Sequence, residues 1–422
     1  MLNIFTEHSD FAMDLNGNKD EISLFIFHLL SVFGKIDSEK NKLIITPYVK
    51  ITEEHKKNIS EFVNYYSKTI PKVNELKNRI ISLPNETWIF LSLNKKFSYE
   101  ESMLIFERIK LLNNGYSIDQ INEISKKSVN KIKELFKNIL SDYKIEVFNP
   151  ERKKSYGNRD KKTRLCRFCN KQEKDGVTFK NEAHAISEAL GNKRIITYEE
   201  CDSCNSRLER TIETDLIEYL NIFRIFFETQ GKTKNPKIKY KNDATVQNNG
   251  TFTIKSSEIS INNPIHTINL QNFKKINTMD LYRCLCKFTV NLVNKDILPK
   301  LTNTIEWINK SSVNSSSGLP KVALLTNPNK IIEHPFLTIY SRDSSNFNYP
   351  HVISELHIWS FIFVFILPYS DADTIDFSID ENFDNFWNNF HFAKIKDWSF
   401  NNFNDDNDRD TIFNVVFKKQ AD

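Results

Sequence analysis

Two Cys-x-x-Cys pairs constrain this chain more than any other feature. Cys166 with Cys169 and Cys201 with Cys204 take up four of the six cysteines, and the 31 residues 170–200 lie between the pairs. Each pair predicts a tight knuckle that presents two sulfurs to one ion, and two knuckles complete the tetrahedral thiolate shell that zinc prefers. Arg167, Asn170, Asp202 and Ser203 make both loops polar, unlike four unrelated thiols in an apolar core. In a reducing compartment this spacing favours metal over disulfides. Four thiolates leave no open coordination position, so the zinc is expected to be structural and any chemistry needs another centre. The spacer is also longer than that of a plain zinc ribbon, so a further element must sit inside it.

That spacer holds Phe179-Lys180-Asn181-Glu182-Ala183-His184-Ala185-Ile186-Ser187, followed by Glu188-Ala189-Leu190-Gly191-Asn192. Directly after Cys204, Asn205 begins a helical pattern with Leu208, Ile212, Leu216 and Leu220 on its apolar side. Glu209 and Glu213, four and eight residues further on, share a helix face with Asn205. A histidine at a strand end, facing an amide and a carboxylate at a helix start, is the minimal set for phosphodiester hydrolysis. It provides a base for water and oxygen ligands for a hard cation. The plainer alternatives are a buried His184 that supports the knuckles, an Asn205 that serves as a helix N-cap, and an Asn192 that orients its loop through backbone hydrogen bonds.

The order Cys-x-x-Cys, Glu-x-His-x-Ile, Leu-Gly-Asn, Cys-x-x-Cys-Asn resembles the zinc-stabilised HNH (ββα-metal) endonucleases, including those found in restriction and phage-defence settings. The resemblance implies a hairpin and a helix that grip one divalent cation, Mg²⁺ or Mn²⁺, and cut DNA, with RNA not excluded. It implies His184 as the general base and Asn205 as the metal-side residue of the helix. Asn192 is a further site residue, and Glu182, Glu209 or Glu213 is the carboxylate. Two positions depart from the pattern. Ala183 stands where an acidic residue or a histidine usually precedes the base, and Ser187 where proline is common. The base must be neutral, so the rate is expected to rise as pH passes the histidine pKa, roughly 6.5 when unperturbed.

Elsewhere the patterns are weaker. Residues 1–97 are expected to be mostly helical, with Glu21–Phe33 apolar nearly all round and Glu53–Tyr66 and Val73–Ile81 at helical spacing. His8, His28 and His55 read as ordinary core or surface residues. In 98–150, capping boxes at Ser98–Glu101 and Ser117–Gln120, then Ser128, predict three short helices. The stretch LLNNGYSIDQINEISKKSVNKIKELF resembles the helix-turn-helix of resolvase-like and repressor-like DNA binders, whose last helix enters the major groove. Lys131, Lys133 and Lys137 then face DNA. The alternative is a helical bundle with a solvated lysine face. Residues 151–165 read as a basic linker, with Arg152, Lys153, Lys154, Lys161, Lys162 and Arg164 placed either to track phosphates or to form a solvated hinge. After the 166–230 module, 231–422 predicts a mixed α/β domain without a catalytic motif, a sensor or a platform for a protein partner or self-association. Cys284, Cys286, Trp359, Trp387 and Trp398 are expected in its core.

The whole reads as an α+β multidomain chain: a helical N-terminal region with a helix-turn-helix, a central ββα-metal zinc module and a mixed C-terminal domain. Hydrophobic residues at 40% and aromatics at 12% exclude wholesale disorder. A net charge of +4 is too small to demand a nucleic-acid partner by itself. The longest apolar run, Ile358–Leu367, is too short to span a bilayer, and Met1–Asp10 lacks a secretion signal, so a cytoplasmic protein is expected. Two functions compete: a nuclease, or a zinc-containing DNA-binding regulator that does not cut. His184 and its acidic neighbours separate them, because a zinc knuckle alone needs neither.

Overall fold

The computed structural model describes residues 2–7, 10–14, 17–37, 42–44, 46–93, 97, 99–124, 139–150, 152–229, 237–257, 260–262, 265–310, 318–326, 331–393, 395 and 397–418. The chain divides into two compact units, Met1–Lys137 and Asn138–Asp422. Among the described residues no helix is long and apolar enough to cross a membrane.

The first unit departs from the helical expectation. Asp10–Met13, Leu2–Phe5, Trp88–Leu93 and Tyr48–Lys50 form, in that order, a four-stranded antiparallel sheet. The helices Lys19–Phe33, Glu53–Tyr66 and Val73–Ser82 share a core with its residues Leu2, Ile4, Phe11, Ile89 and Leu91. Strands this short carry too few alternations to stand out from helical spacing. His55 caps the helix Glu53–Tyr66 through Thr52, and His28 Nδ1 lies 2.7 Å from the Tyr66 hydroxyl, so both are structural. Tyr99–Asn113 is helical. Ser117 caps the helical residues 118–124, accepting from Gln120 N at 3.3 Å while Ser117 N donates to Gln120 Oε1 at 2.9 Å. The third predicted helix, with Lys131, Lys133 and Lys137, lies outside the described residues, as does His8.

The second unit is built on a six-stranded antiparallel sheet. Its order is Ser399–Asn401, Val322–Thr326, Phe361–Ile366, Val352–Trp359, Ile332–Arg342, Tyr143–Phe148. The apolar run 358–367 is therefore two strands. The chain reverses at Ser360, with Trp359 at φ 50°, and Ile358 pairs with Phe361. Tyr143–Phe148 precedes the basic segment in the chain yet forms one edge of this sheet, so the cysteine module is held between parts of a single fold.

The helix Thr278–Val290 joins module to sheet, and all its residues from Asp280 to Val290 are buried. On one side the Tyr282 hydroxyl donates to the Ile366 carbonyl at 2.7 Å, and Thr289 Oγ1 donates to Ser354 Oγ at 2.8 Å. On the other, Lys287 Nζ lies 2.8 Å from Glu213 Oε1 and 3.0 Å from Glu200 Oε2. One turn on, Asn291 Nδ2 donates to Glu200 Oε2 at 3.0 Å and reaches the Ala185 carbonyl at 3.4 Å. Arg167, inside the first knuckle, donates to the carbonyls of Val290 and Val293 at 2.8 and 2.6 Å, at the helix end where a cation is favoured. Burial alone would depress the Lys287 pKa, but Glu200 and Glu213 hold it above its usual value. Burial raises that of Glu200, against the pull of Lys287. Cys284 and Cys286 are fully buried in this helix, as expected.

Lys287 thus neutralises two buried carboxylates from the module. Lys287→Met would leave them facing each other without a cation, and breaking such a buried network costs about 3–5 kcal/mol. A lowered denaturation midpoint is expected in tryptophan emission, since Trp307, Trp359, Trp387 and Trp398 all belong to this unit. An unchanged midpoint would show that the network adds nothing to stability.

Candidate active site

The four cysteine sulfurs converge. They lie within 4.8 Å of one another, and Cys169 Sγ is 3.8 Å from Cys201 Sγ. Zinc–sulfur bonds of about 2.3 Å require tetrahedron edges of about 3.8 Å, so the residues fit a Cys₄ zinc. The first knuckle closes by Asn170 N donating to the Cys166 carbonyl at 2.9 Å, with Asn170 in the left-handed region at φ 55°. The second merges into the helix Asp202–Leu208, of which Cys201 is the N-terminal cap residue.

Asp202 carries the knuckle's position to the segment before His184. Its carboxylate accepts from Thr178 Oγ1 at 2.5 Å, Lys180 N at 3.0 Å and Asn181 N at 2.9 Å. Ala183–His184 then pairs antiparallel with Ile195–Thr197, His184 opposite Ile196. The loop between these short strands is fixed by Asn192. Its buried amide donates to the carbonyls of Ile186 and Ile195 at 2.7 and 2.8 Å and accepts from the amides of Arg194 and Ile195 at 3.0 and 2.9 Å. The side chain of Asn192 is fully occupied by backbone and shapes the loop. Sequence reasoning did not single out Asp202, although a carboxylate in a first helical turn is a familiar acceptor for backbone amides.

His184 is the side chain that the hairpin leaves half-buried. Its Nε2 lies 3.9 Å from Glu182 Oε1 and 3.8 Å from Glu188 Oε2. Nδ1 is turned inward without a full hydrogen bond, although the Asn192 carbonyl is close enough to favour the protonated ring. Burial dominates and lowers the imidazole pKa, and Glu188 and Glu182 oppose it. The ring is therefore neutral at neutral pH. Glu188 opens the 3₁₀ turn Glu188–Leu190 and stands beside the imidazole, a neighbour that the sequence pattern did not flag. The spacing i, i+4 to His184 is its only signal there.

On the helix, Asn205 is half-buried and its side chain makes no hydrogen bond to a described residue. Residues Glu209–Glu213 form a π-helical turn, which breaks the 3.6-residue register expected for Asn205, Glu209 and Glu213. Glu213 turns inward onto Lys287 and is buried, so it is not available to a cation at the surface. Glu209, at intermediate exposure, begins the π turn.

The basic segment is built into the module. Lys154–Tyr156 pairs parallel with Ile195–Thr197, making a three-stranded sheet with Ala183–His184. Gly157 follows at φ 91°, where a Cβ would meet the Glu199 carboxylate at under 3 Å. That carboxylate accepts from Asn158 N at 3.0 Å and pairs with the Arg167 guanidinium at 2.7 Å. Arg164 is buried. It donates to the carbonyls of Asn158 and Arg159 and lies over the rings of Tyr198 and Phe179, so it is a packing residue and not a phosphate contact. Arg152, Lys153, Lys154, Lys161 and Lys162 are exposed. Lys153 Nζ lies 2.5 Å from Glu182 Oε2.

A cluster of four cysteines that fits zinc, a short antiparallel hairpin bearing one histidine, and a helix running out of the second knuckle define a ββα module. Residues 166–221 match the family model described as HNH endonuclease. Comparisons with curated proteins and with solved structures found no match to the chain. The matched segment thus carries an HNH endonuclease domain.

With structural zinc, binding free energy is folding free energy. Cys201→Ser is expected to lower zinc content and thermal stability together. Elemental analysis that finds no zinc in well-folded wild-type protein would refute the clamp.

Proposed function

We propose that the chain is a divalent-cation-dependent endonuclease that hydrolyses DNA phosphodiesters, with RNA as the alternative polymer, and that His184 is its general base. The observation that carries this reading is the neutral, half-buried imidazole held between two carboxylates on a hairpin that the thiolate clamp does not use. His184 Nε2 takes a proton from water. The water oxygen forms the new bond to phosphorus, and the bond to the leaving oxygen breaks with its electron pair. Asn192 holds the loop beneath the ring, and Asp202 holds the strand entering it. Glu182 and Glu188 would offer the hard oxygen donors that Mg²⁺ or Mn²⁺ prefers, with Asn205 the helix residue that the family resemblance implies on the metal side. Such an ion would neutralise charge on the phosphate and the leaving oxygen. We place the activity in restriction or phage defence on the resemblance alone. The core shared by module and sheet favours a scaffold role for residues 231–422 over a separate platform for a partner.

His184→Ala tests the assignment. Losing a general base typically costs about 10²–10⁴ in rate. Nicking of supercoiled plasmid with Mg²⁺ or Mn²⁺, abolished by EDTA, is expected to fall by that much while zinc content, melting temperature and DNA binding stay near wild type. Zinc loss or unfolding, with the folded remainder still cutting, would make the imidazole structural. Wild-type protein that binds DNA and never nicks it would favour the regulator.

A further inference from the structure

The strand that precedes the matched family segment supplies a cation to the reaction centre. We infer that Lys153 contacts the scissile phosphodiester as part of the catalytic site, a role beyond general backbone affinity; this rests on the endonuclease reading above.

Lys153 is delivered by ordered backbone. Lys154 N donates to the Arg194 carbonyl at 2.7 Å and Tyr198 N to the Tyr156 carbonyl at 2.9 Å. The parallel register sets Lys154 beside Ile195 and Ser155 beside Ile196, the residue that His184 faces across the hairpin. One end of the segment is thereby tied to the strand next to the base. Its other end is stapled by the Glu199 carboxylate, which accepts from Asn158 N, and by Arg164, which folds back onto the Asn158 and Arg159 carbonyls. A hinge that merely spaced two domains would need none of these bonds.

The contact with Glu182 fixes the ammonium group. Nζ lies 2.5 Å from Glu182 Oε2, and the other oxygen of the same carboxylate lies 3.9 Å from His184 Nε2. An ammonium has three donors, and Glu182 occupies one. The side chain is 54% exposed, so the remaining donors are open to solvent and to a polyanion that reaches the His184 face. Charge supplies the reason for such a group. Glu182 and Glu188 put two carboxylates within 4 Å of the base, and a phosphodiester anion entering that field is repelled unless cations balance it. Lys153 is positioned to donate to a non-bridging phosphate oxygen, where negative charge grows during attack. Lys154 is differently placed, since its Nζ lies over the Tyr156 ring.

The test uses the full-length protein with Lys153→Ala and Lys153→Arg, and His184→Ala in parallel. Binding to a duplex oligonucleotide is measured in EDTA across a salt series. Cleavage of the same duplex is measured at saturating protein with Mn²⁺. Loss of one phosphate contact should reduce the slope of log K against log salt by about 0.9. Loss of a group that stabilises developing charge should lower kcat by at least about tenfold, with Lys153→Arg recovering most of it. A slope change together with a kcat loss that arginine restores supports the proposal. An unchanged slope removes the phosphate contact, whether or not the protein cuts. A changed slope with wild-type kcat reduces Lys153 to a tether and overturns the catalytic role. A kcat loss accompanied by zinc loss, or not restored by arginine, makes the side chain structural and overturns it equally. If His184→Ala cuts like wild type, or wild type does not cut at all, the endonuclease reading fails separately, and the binding slope still decides the Lys153 contact.

Discussion

Convergence of four thiolates on one point is the constraint on which the rest of the module depends. The hairpin strands comprise two and three residues, and the helix that follows has seven before its register changes. Elements of this size are too short to be stable alone. The clamp fixes both ends of the spacer at one position, so hairpin and helix start are held where few hydrogen bonds can specify them. Asp202 and Asn192 then do the local work. One collects the amides leading to His184, and the other fills the loop behind it. Phe168, Phe179, Ile186, Leu190, Ile195 and Leu208 of the module then pack into the core that it shares with the six-stranded sheet.

That shared core leaves the module dependent on what surrounds it. The helix Thr278–Val290 lies outside the matched segment, yet it supplies Lys287 to two module carboxylates and receives Arg167 at its C-terminal carbonyls. Asn309 adds a further tie, donating to the Phe168 carbonyl at 2.7 Å and accepting from Arg207 at 2.6 Å. Buried charges persist only when paired, so Glu200, Glu213 and Lys287 are mutually required. The module and the six-stranded sheet therefore form one cooperative structure, with the sheet as its foundation.

The electrostatics of the site follow from the same division of labour. Charges turned inward are structural: Glu213, Glu200 and Lys287 pair with one another, and Arg164 is held by backbone carbonyls and aromatic rings. Of the charges left outward, Glu182 and Glu188 flank the His184 imidazole that burial keeps neutral, and Lys153 pairs with Glu182. A base that burial keeps neutral, flanked by two carboxylates with one ammonium group beside them, suits an anionic ester better than it suits a passive knuckle.

The amino-acid sequence by itself determined the four-cysteine cluster, the candidate base and the likeness of residues 166–221 to the HNH endonucleases, because Cys-x-x-Cys, histidine and Cys-x-x-Cys-Asn act through local spacing that survives any tertiary arrangement. It also determined the long helices, whose caps and apolar faces are local. The tertiary structure alone decided the rest. Glu213 belongs to a buried ion network because a π turn shifts its face and a lysine 74 residues away meets it. The basic segment is tied into the module, not a hinge, because its residues Lys154–Tyr156 pair with the edge that Ile195–Thr197 leaves. The first unit contains a sheet because Leu2–Phe5 finds partners as distant as Trp88–Leu93. Each of these rests on pairing between residues far apart in the chain, and local pattern does not encode which distant partner a short strand or a single charge will meet.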